Sequence, residues 1–245
     1  MNEDFSFQEG RVIHSSAPDR ALPLPKAFGI ESRGAEQAFL LSSLLDEQTP
    51  VVTCLGPAGA GKTLLTLAAA MEQVEKKRYD EIILMRPTFE SGRFKMGFLP
   101  GSETEKQMPF FQGYRDNMQQ LLSAKVSSKK GKKVEASLED HLYPTRFLAL
   151  NYMRGASWID KFVIIDEAQV LNDQEMLTIG SRVGKGTKIV FIGDLKQRDG
   201  YIAEKDSGLK HLIEKTRNHQ LVKNITLTKV ERSPVCQMFV DIFDG

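Results

Sequence analysis

The sequence predicts an α/β domain, a mostly parallel sheet with helices on both faces, and three observations carry that prediction. Short apolar, β-branched runs recur along the chain, helical segments separate most of them, and three of the runs end in glycine-rich or acidic strings. In such an architecture ligands gather at the carboxyl ends of the strands, so those strings are where chemistry is expected.

Composition sets the frame for each element. At 245 residues and 41% hydrophobic content, the chain can bury a sizeable core and hold one large α/β domain or two small ones. A net charge of +1 gives no global attraction to nucleic acid, so any such binding must come from local patches. The two cysteines, Cys54 and Cys236, lack metal-ligand spacing and read as free thiols in a reducing compartment. No apolar stretch approaches membrane-spanning length, and the N-terminus is acidic where a secretory leader is basic and apolar. A cytoplasmic protein with no membrane partner is expected.

Residues 1–27 are polar, contain Pro18, Pro23 and Pro25, and read as a mobile arm or a strap lying on the main domain of 28–245. A helix is expected from Gly34 to Leu45, with Ala35, Phe39, Leu40 and Leu44 on one face. Pro50 to Leu55 suits a buried parallel strand, and Leu64 to Val74, rich in Leu, Ala and Met, suits the helix that follows. Further strands are expected at Glu81 to Met85, Thr145 to Tyr152, Lys161 to Asp166, Lys188 to Ile192 and Ile225 to Leu227. Ser123 to Ser137, with Lys125, Lys129, Lys130, Lys132 and Lys133 among small polar residues, reads as a flexible excursion outside the sheet. It is either a solvated surface or a phosphate-backbone contact.

The string Gly56-Pro57-Ala58-Gly59-Ala60-Gly61-Lys62-Thr63 fits the phosphate-loop pattern G-x-x-x-x-G-K-[ST] between a strand and a helix. Its glycines let successive N–H groups turn inward, forming an anion cradle at a helix N-terminus. Lys62 would reach the β- and γ-phosphates of a nucleoside triphosphate, and the Thr63 hydroxyl would bind a magnesium ion bridging them. Val163-Ile164-Ile165 delivers Asp166 and Glu167 to a second strand end. Asp166 would hold the magnesium and Glu167 would orient and deprotonate the attacking water. At a third strand end, Gly193-Asp194-Leu195-Lys196-Gln197 offers Gln197, whose amide can both donate and accept, to the γ-phosphate or the water.

With these strings stand Arg86-Pro87-Thr88, Met96-Gly97-Phe98-Leu99-Pro100-Gly101, Tyr152-Met153-Arg154-Gly155, Asp166-Glu167-Ala168-Gln169 and Arg232-Ser233. On them the chain, over roughly residues 28 to 243, resembles the PhoH-family ATPases, a P-loop branch related to superfamily 1 helicases. The phosphate loop is shared by many families; Gly-Phe-Leu-Pro-Gly together with Tyr-Met-Arg-Gly is far more specific. The resemblance implies a single RecA-like P-loop NTPase domain that uses ATP and Mg2+. It implies nucleotide contacts from Gln37 and from Gly56, Pro57, Ala58, Gly59, Ala60, Gly61, Lys62, Thr63 and Leu64, with Gln37 reading the adenine edge. Without the resemblance, Gln37 is an ordinary exposed helix glutamine.

The resemblance further places Arg86 and Thr88 near nucleic acid or the phosphates. It leaves Arg154 to nucleic acid, to a neighbouring subunit's nucleotide or to a structural ion pair. Arg232 resembles the arginine that a second RecA-like domain supplies to the transition state in related helicases. One such domain is expected here, and an arginine of the same domain could hardly face its own γ-phosphate. Arg232 or Arg154 is therefore expected to act in trans within a homo-oligomeric ring, with a hexamer favoured. Some family members carry an N-terminal PIN nuclease domain, for which the residues ahead of Gly34 are too few.

The leading expectation is a Mg-dependent ATPase coupled to RNA or single-stranded DNA. Base-stacking candidates are Phe89, Phe94, Phe98, Phe110, Phe111 and Tyr114, near Arg93, Lys95 and Arg115. The competing expectation is a nucleotide-switched assembly protein with slow turnover. A small-molecule kinase is a weaker third, because the Asp-Glu pair with Gln197 suits water activation better than an acceptor pocket.

Overall fold

The computed structural model describes residues 5–8, 11–14, 17–22, 24–87, 111–128, 144–149, 157–197 and 206–243. The expected arm carries three short strands, β1 (Phe5–Gln8), β2 (Arg11–His14) and β3 (Ala17–Leu22), paired antiparallel in sequence order. A two-residue hairpin follows, β4 (Lys26–Ala27) and β5 (Ile30–Glu31), turned by Phe28 and Gly29 at φ 49° and 84°. Two successive positive φ angles give the turn the twist that the paired strands need.

The sequence then alternates between helix and strand: α1 (Ala35–Leu45), β6 (Val51–Leu55), α2 (Lys62–Glu75), β7 (Glu81–Arg86), α3 (Gln112–Ser128), β8 (Thr145–Ala149) and β9 (Lys161–Ile165). After them come α4 (Asp173–Gly180), β10 (Lys188–Gly193), α5 (Gly208–Lys215), β11 (Val222–Thr226) and α6 (Pro234–Phe243). Strands β6 to β11 form one six-stranded sheet in the order β11-β6-β10-β9-β7-β8, and every pairing in it is parallel. This is the expected α/β arrangement, a parallel sheet with helices on both faces. β10 lies between the strand that feeds the phosphate loop and the strand that ends at Asp166.

Both faces of the sheet are covered, which is why its strands are apolar runs and not alternating ones. Along β7 and β9 the side chains still separate by parity. Ile82, Leu84, Phe162 and Ile164 join Leu40, Leu41, Leu67, Met71 and Leu121 in the core under α1, α2 and α3. Ile83, Met85, Val163 and Ile165 face the other way, toward Leu171, Ile179 and Leu209 under α4 and α5.

Three expectations change in detail. In α1 the buried stripe is Gln37, Ala38, Leu40, Leu41 and Leu44, so Ala35 and Phe39 are only half-buried. The last strand begins at Val222 and not at Ile225, pairing Val222 with Val51. Residues 123–128, expected in a flexible excursion, are the last turns of α3; Lys125 pairs there with Glu75 and lies 4.1 Å from the Phe28 ring centroid. The rest of that excursion, and the end of the Thr145 to Tyr152 run, lie outside the described residues.

One buried charge had no sequence signal. Lys188, fully buried at the start of β10, donates to the carbonyls of Ser43, Asp46 and Thr49 at 2.9, 2.7 and 2.6 Å. It closes the C-terminal end of α1 and fixes the loop that leads into β6. Burial pulls its ammonium down to about 8, with Asp46 opposing. Cys54 and Cys236 are both free thiols. Among the described residues no helix is long and apolar enough to cross a membrane.

Candidate active site

β6 releases the chain into the phosphate loop, and two glycines there have physical reasons. Gly56 has φ 146°, and a Cβ on it would lie 2.2 Å from the Leu227 carbonyl oxygen. Only glycine lets the loop pass this close to the chain leaving β11. Gly61, at φ 95°, is the N-cap of α2 and contributes no side-chain cap. The first amides of α2 are thereby left for an anion. Lys62 lies back across the loop, its Nζ donating to the carbonyls of Gly56 at 2.5 Å and Pro57 at 2.8 Å.

Thr63 sits half-buried in the first turn of α2; Leu64 beside it packs against the core, so only its backbone faces the loop. Pro57 is half-buried, Ala58 exposed and Ala60 buried. Gln37 anchors the loop from α1: its Oε1 accepts from the Arg33 amide at 3.0 Å and its Nε2 donates to the Ala60 carbonyl at 3.0 Å. Gln37 is thus a buried clamp on the loop and not an exposed helix residue.

Asp166 and Glu167 follow β9 and diverge at once, because Glu167 adopts the left-handed conformation, φ 54°. The Asp166 carboxylate accepts a short hydrogen bond from the Tyr114 hydroxyl of α3 at Oδ2. Burial pushes the Asp166 carboxyl up, and the Tyr114 bond offsets part of that rise. Burial and the adjacent Asp166 carboxylate push the Tyr114 hydroxyl up, so it stays a donor. Glu167 is held on both oxygens: Arg86 Nη2 donates to Oε1 at 3.1 Å and Gln169 Nε2 to Oε2 at 2.7 Å. Cys54, buried between the two halves of the site and pushed up to about 12 by burial, feels Lys62 and Asp166 with opposite signs.

Gln169 links this strand end to the next. Its Nε2 also donates to the Gln197 carbonyl at 2.9 Å, and its Oε1 accepts from the Asp194 amide at 3.2 Å. Gln197 itself is exposed, and its backbone, not its side chain, makes this connection. The chain after β11 closes the loop from another side. The Glu231 amide donates to the Gly59 carbonyl at 3.0 Å, and a Cβ on Gly59 would lie 3.2 Å from Cβ of Arg232. The backbone at Arg232 thus stands beside the phosphate loop of its own chain. Arg154 and Thr88 lie outside the described residues.

The residues present fit a magnesium ion. Thr63 and Asp166 offer hard oxygen donors, and among the described residues no cluster of three His, Cys, Asp or Glu forms a self-sufficient metal cage. A cation there would draw its remaining ligands from phosphate oxygens and water, as magnesium does. A cavity of about 280 Å³ adjoins the loop, lined by Gly34, Ala35, Gln37, Leu227, Thr228 and Glu231 among others. The larger cavity, about 450 Å³ and lined by Val74, Tyr79 and Pro144, opens ahead of β7 and β8 at the opposite sheet edge, away from this chemistry.

Tyr114 and Gln169 had no site role in the sequence, and Arg86, expected near nucleic acid or the phosphates, had no partner there. Tyr114 and Phe111 were base-stacking candidates, but they are 4% and 1% exposed and belong to the core; Phe89, Phe94, Phe98 and Phe110, with Arg93 and Lys95, lie outside the described residues. Arg86 carried no assigned partner, since Glu167 is 81 residues away. Gln169 stood in a quoted string without a role, and its place two residues after Glu167 was the one available signal.

Comparison with known proteins gives a consistent picture. A family model described as PhoH-like protein matches residues 29–244. Protein PhoH2 of Thermobispora bispora is 34% identical over 238 residues, covering 95% of this chain and 52% of that protein. Protein PhoH2 of Bacillus subtilis is 38% identical over 217 residues, covering 88% and 48%. The chain thus spans about half the length of the curated relatives it matches. Among solved structures, the Pif1 helicase of Candida albicans aligns over 88% of this chain and 44% of its own, at 18% identity and a TM-score of 0.42. A SWI2/SNF2 ATPase core of Sulfolobus solfataricus aligns over 84% and 47%, at 14% identity and 0.44.

Proposed function

The chain belongs to the PhoH-like protein family, and from that premise and the geometry above we propose that it is a magnesium-dependent ATPase coupled to RNA or single-stranded DNA. The observation that carries the hydrolytic half is the pairing of a phosphate loop on β6 with two carboxylates that end β9 and are held by different partners. The nucleic-acid half rests on the family resemblance.

The loop amides and Lys62 bind the β- and γ-phosphates, Lys62 exchanging its carbonyl acceptors for phosphate oxygens. Thr63 and Asp166 would hold a magnesium ion, which would supply charge neutralisation at those phosphates. Glu167 orients the attacking water and takes its proton. Arg232, beside Gly59, supplies positive charge from the same chain. The cavity beside Gln37 takes the nucleoside base.

Steady-state ATP hydrolysis with and without RNA, single-stranded DNA and duplex tests the proposal. Stimulation by a single strand that fades as salt rises is expected. Absence of both stimulation and salt-sensitive binding would remove the nucleic-acid half. Lys62→Ala should weaken triphosphate binding.

One observation favours the second reading, a nucleotide-switched assembly protein. α6 exposes Val235, Met238, Phe239, Ile242 and Phe243 along one face, while Cys236 on the same helix lies against the loop at Ala58. Sedimentation with and without ATP separates the two: a size change with hydrolysis indifferent to nucleic acid supports assembly.

A further inference from the structure

We propose that Arg86 and Tyr114 are positioning residues that set the two carboxylates of the site independently, Tyr114 the metal-binding Asp166 and Arg86 the water-orienting Glu167. The inference rests on the ATPase reading above and assigns labour within it. Arg86 is the last residue of β7 and Tyr114 lies in the first turn of α3, so the chain joining these elements has a hold on each carboxylate at its two ends.

Tyr114 is a core residue, its ring 6.1 Å from that of Phe111, which in turn lies 4.9 Å from Phe147. Packing fixes the ring, and the ring fixes the direction of the hydroxyl. A buried hydroxyl needs a partner, and here the partner is Oδ2 of Asp166. A donor on one oxygen sets the rotation of the carboxylate and therefore where its other oxygen faces. Magnesium demands near-octahedral geometry, so this rotation governs how well Asp166 can hold it.

Arg86 acts on a different atom set. Glu167 stands on a left-handed backbone, φ 54°, and its direction is decided by the donors at its oxygens, Arg86 on Oε1 and Gln169 on Oε2. The Arg86–Glu167 pair is one-third exposed on both sides and adds little to stability, so its placement on the hydrolytic glutamate calls for another explanation. Orientation of a group that must meet water in line with a phosphate supplies it.

The test is a double dissociation on the full chain. Magnesium-dependent binding of a fluorescent ATP analogue is measured in the Glu167→Gln background with and without Tyr114→Phe. ATP turnover across a magnesium titration is measured in the wild type, Tyr114→Phe, Arg86→Gln and Arg86→Lys. Tyr114→Phe keeps the ring packing and should raise the half-saturating magnesium about tenfold in both assays, its turnover recovering at high magnesium. Arg86→Gln should lower kcat roughly tenfold at every magnesium concentration, with Arg86→Lys recovering part of the loss. The proposal is overturned if Tyr114→Phe leaves the magnesium dependence at the wild-type value, or if both substitutions move both quantities together. A wild type that binds no nucleotide even with magnesium would overturn the ATPase reading itself, a result separable from either of these.

Discussion

The phosphate loop and the carboxylate pair are the two halves of the proposed site, yet they are built in opposite ways. The loop runs through eight consecutive residues, and its donors are mostly its own backbone amides, so a short string carries nearly all its geometry. The carboxylates are also consecutive, but the groups that aim them come from afar: Tyr114 is 52 residues from Asp166, and Arg86 is 81 from Glu167. A backbone-made site is therefore legible as a motif, whereas a side-chain-made site needs the sheet order that brings β7 beside β9.

Substitutions at the carboxylates have the largest expected effect. Glu167→Gln should keep nucleotide binding and reduce kcat by roughly 10²- to 10⁴-fold, read by single-turnover hydrolysis beside equilibrium binding. Near-normal hydrolysis would show that another group serves as base.

The loop is broken most directly at Gly56. A Cβ 2.2 Å from the Leu227 carbonyl cannot be accommodated by moving a flexible side chain, so Gly56→Ala should cost about 3 kcal/mol and abolish triphosphate binding. A thermal shift below about 1 kcal/mol with normal affinity would mean that the loop does not depend on its contact with the end of β11.

Lys188 extends the long-range side of the comparison to stability. Lys188→Met keeps the apolar stem and takes the ammonium donor from the carbonyls of Ser43, Asp46 and Thr49, of which Asp46 keeps the Thr49 amide. Loss of about 2–3 kcal/mol is expected, read by denaturant unfolding. An unchanged midpoint would show that water replaces the ammonium.

Arg86→Gln should have the smallest effect on stability, roughly 0.5 kcal/mol, because the pair with Glu167 is one-third exposed and screened. A larger loss in the same unfolding assay would make Arg86 a structural residue.

Particular residues show where sequence reading reached its limit. The strands at Val51, Glu81, Lys161 and Lys188 were legible because burial on both faces makes continuous apolar runs. The stripe of α1 was read one step off, since Gln37 is buried to clamp Ala60 and nothing in helical periodicity marks a buried glutamine. Lys125 looked like part of a solvated run, yet it is placed by Phe28 and Glu75, elements packed from elsewhere in the chain.

The α/β class, the phosphate loop and the two carboxylates at a strand end are each written in contiguous residues whose backbone conformation follows locally. Which side chain holds which carboxylate, how Gln169 joins two strand ends, and the approach of the Arg232 backbone to the loop come from the packing of distant elements. The reason is that hydrogen bonds between distant side chains depend on strand order and helix packing, which no local pattern records.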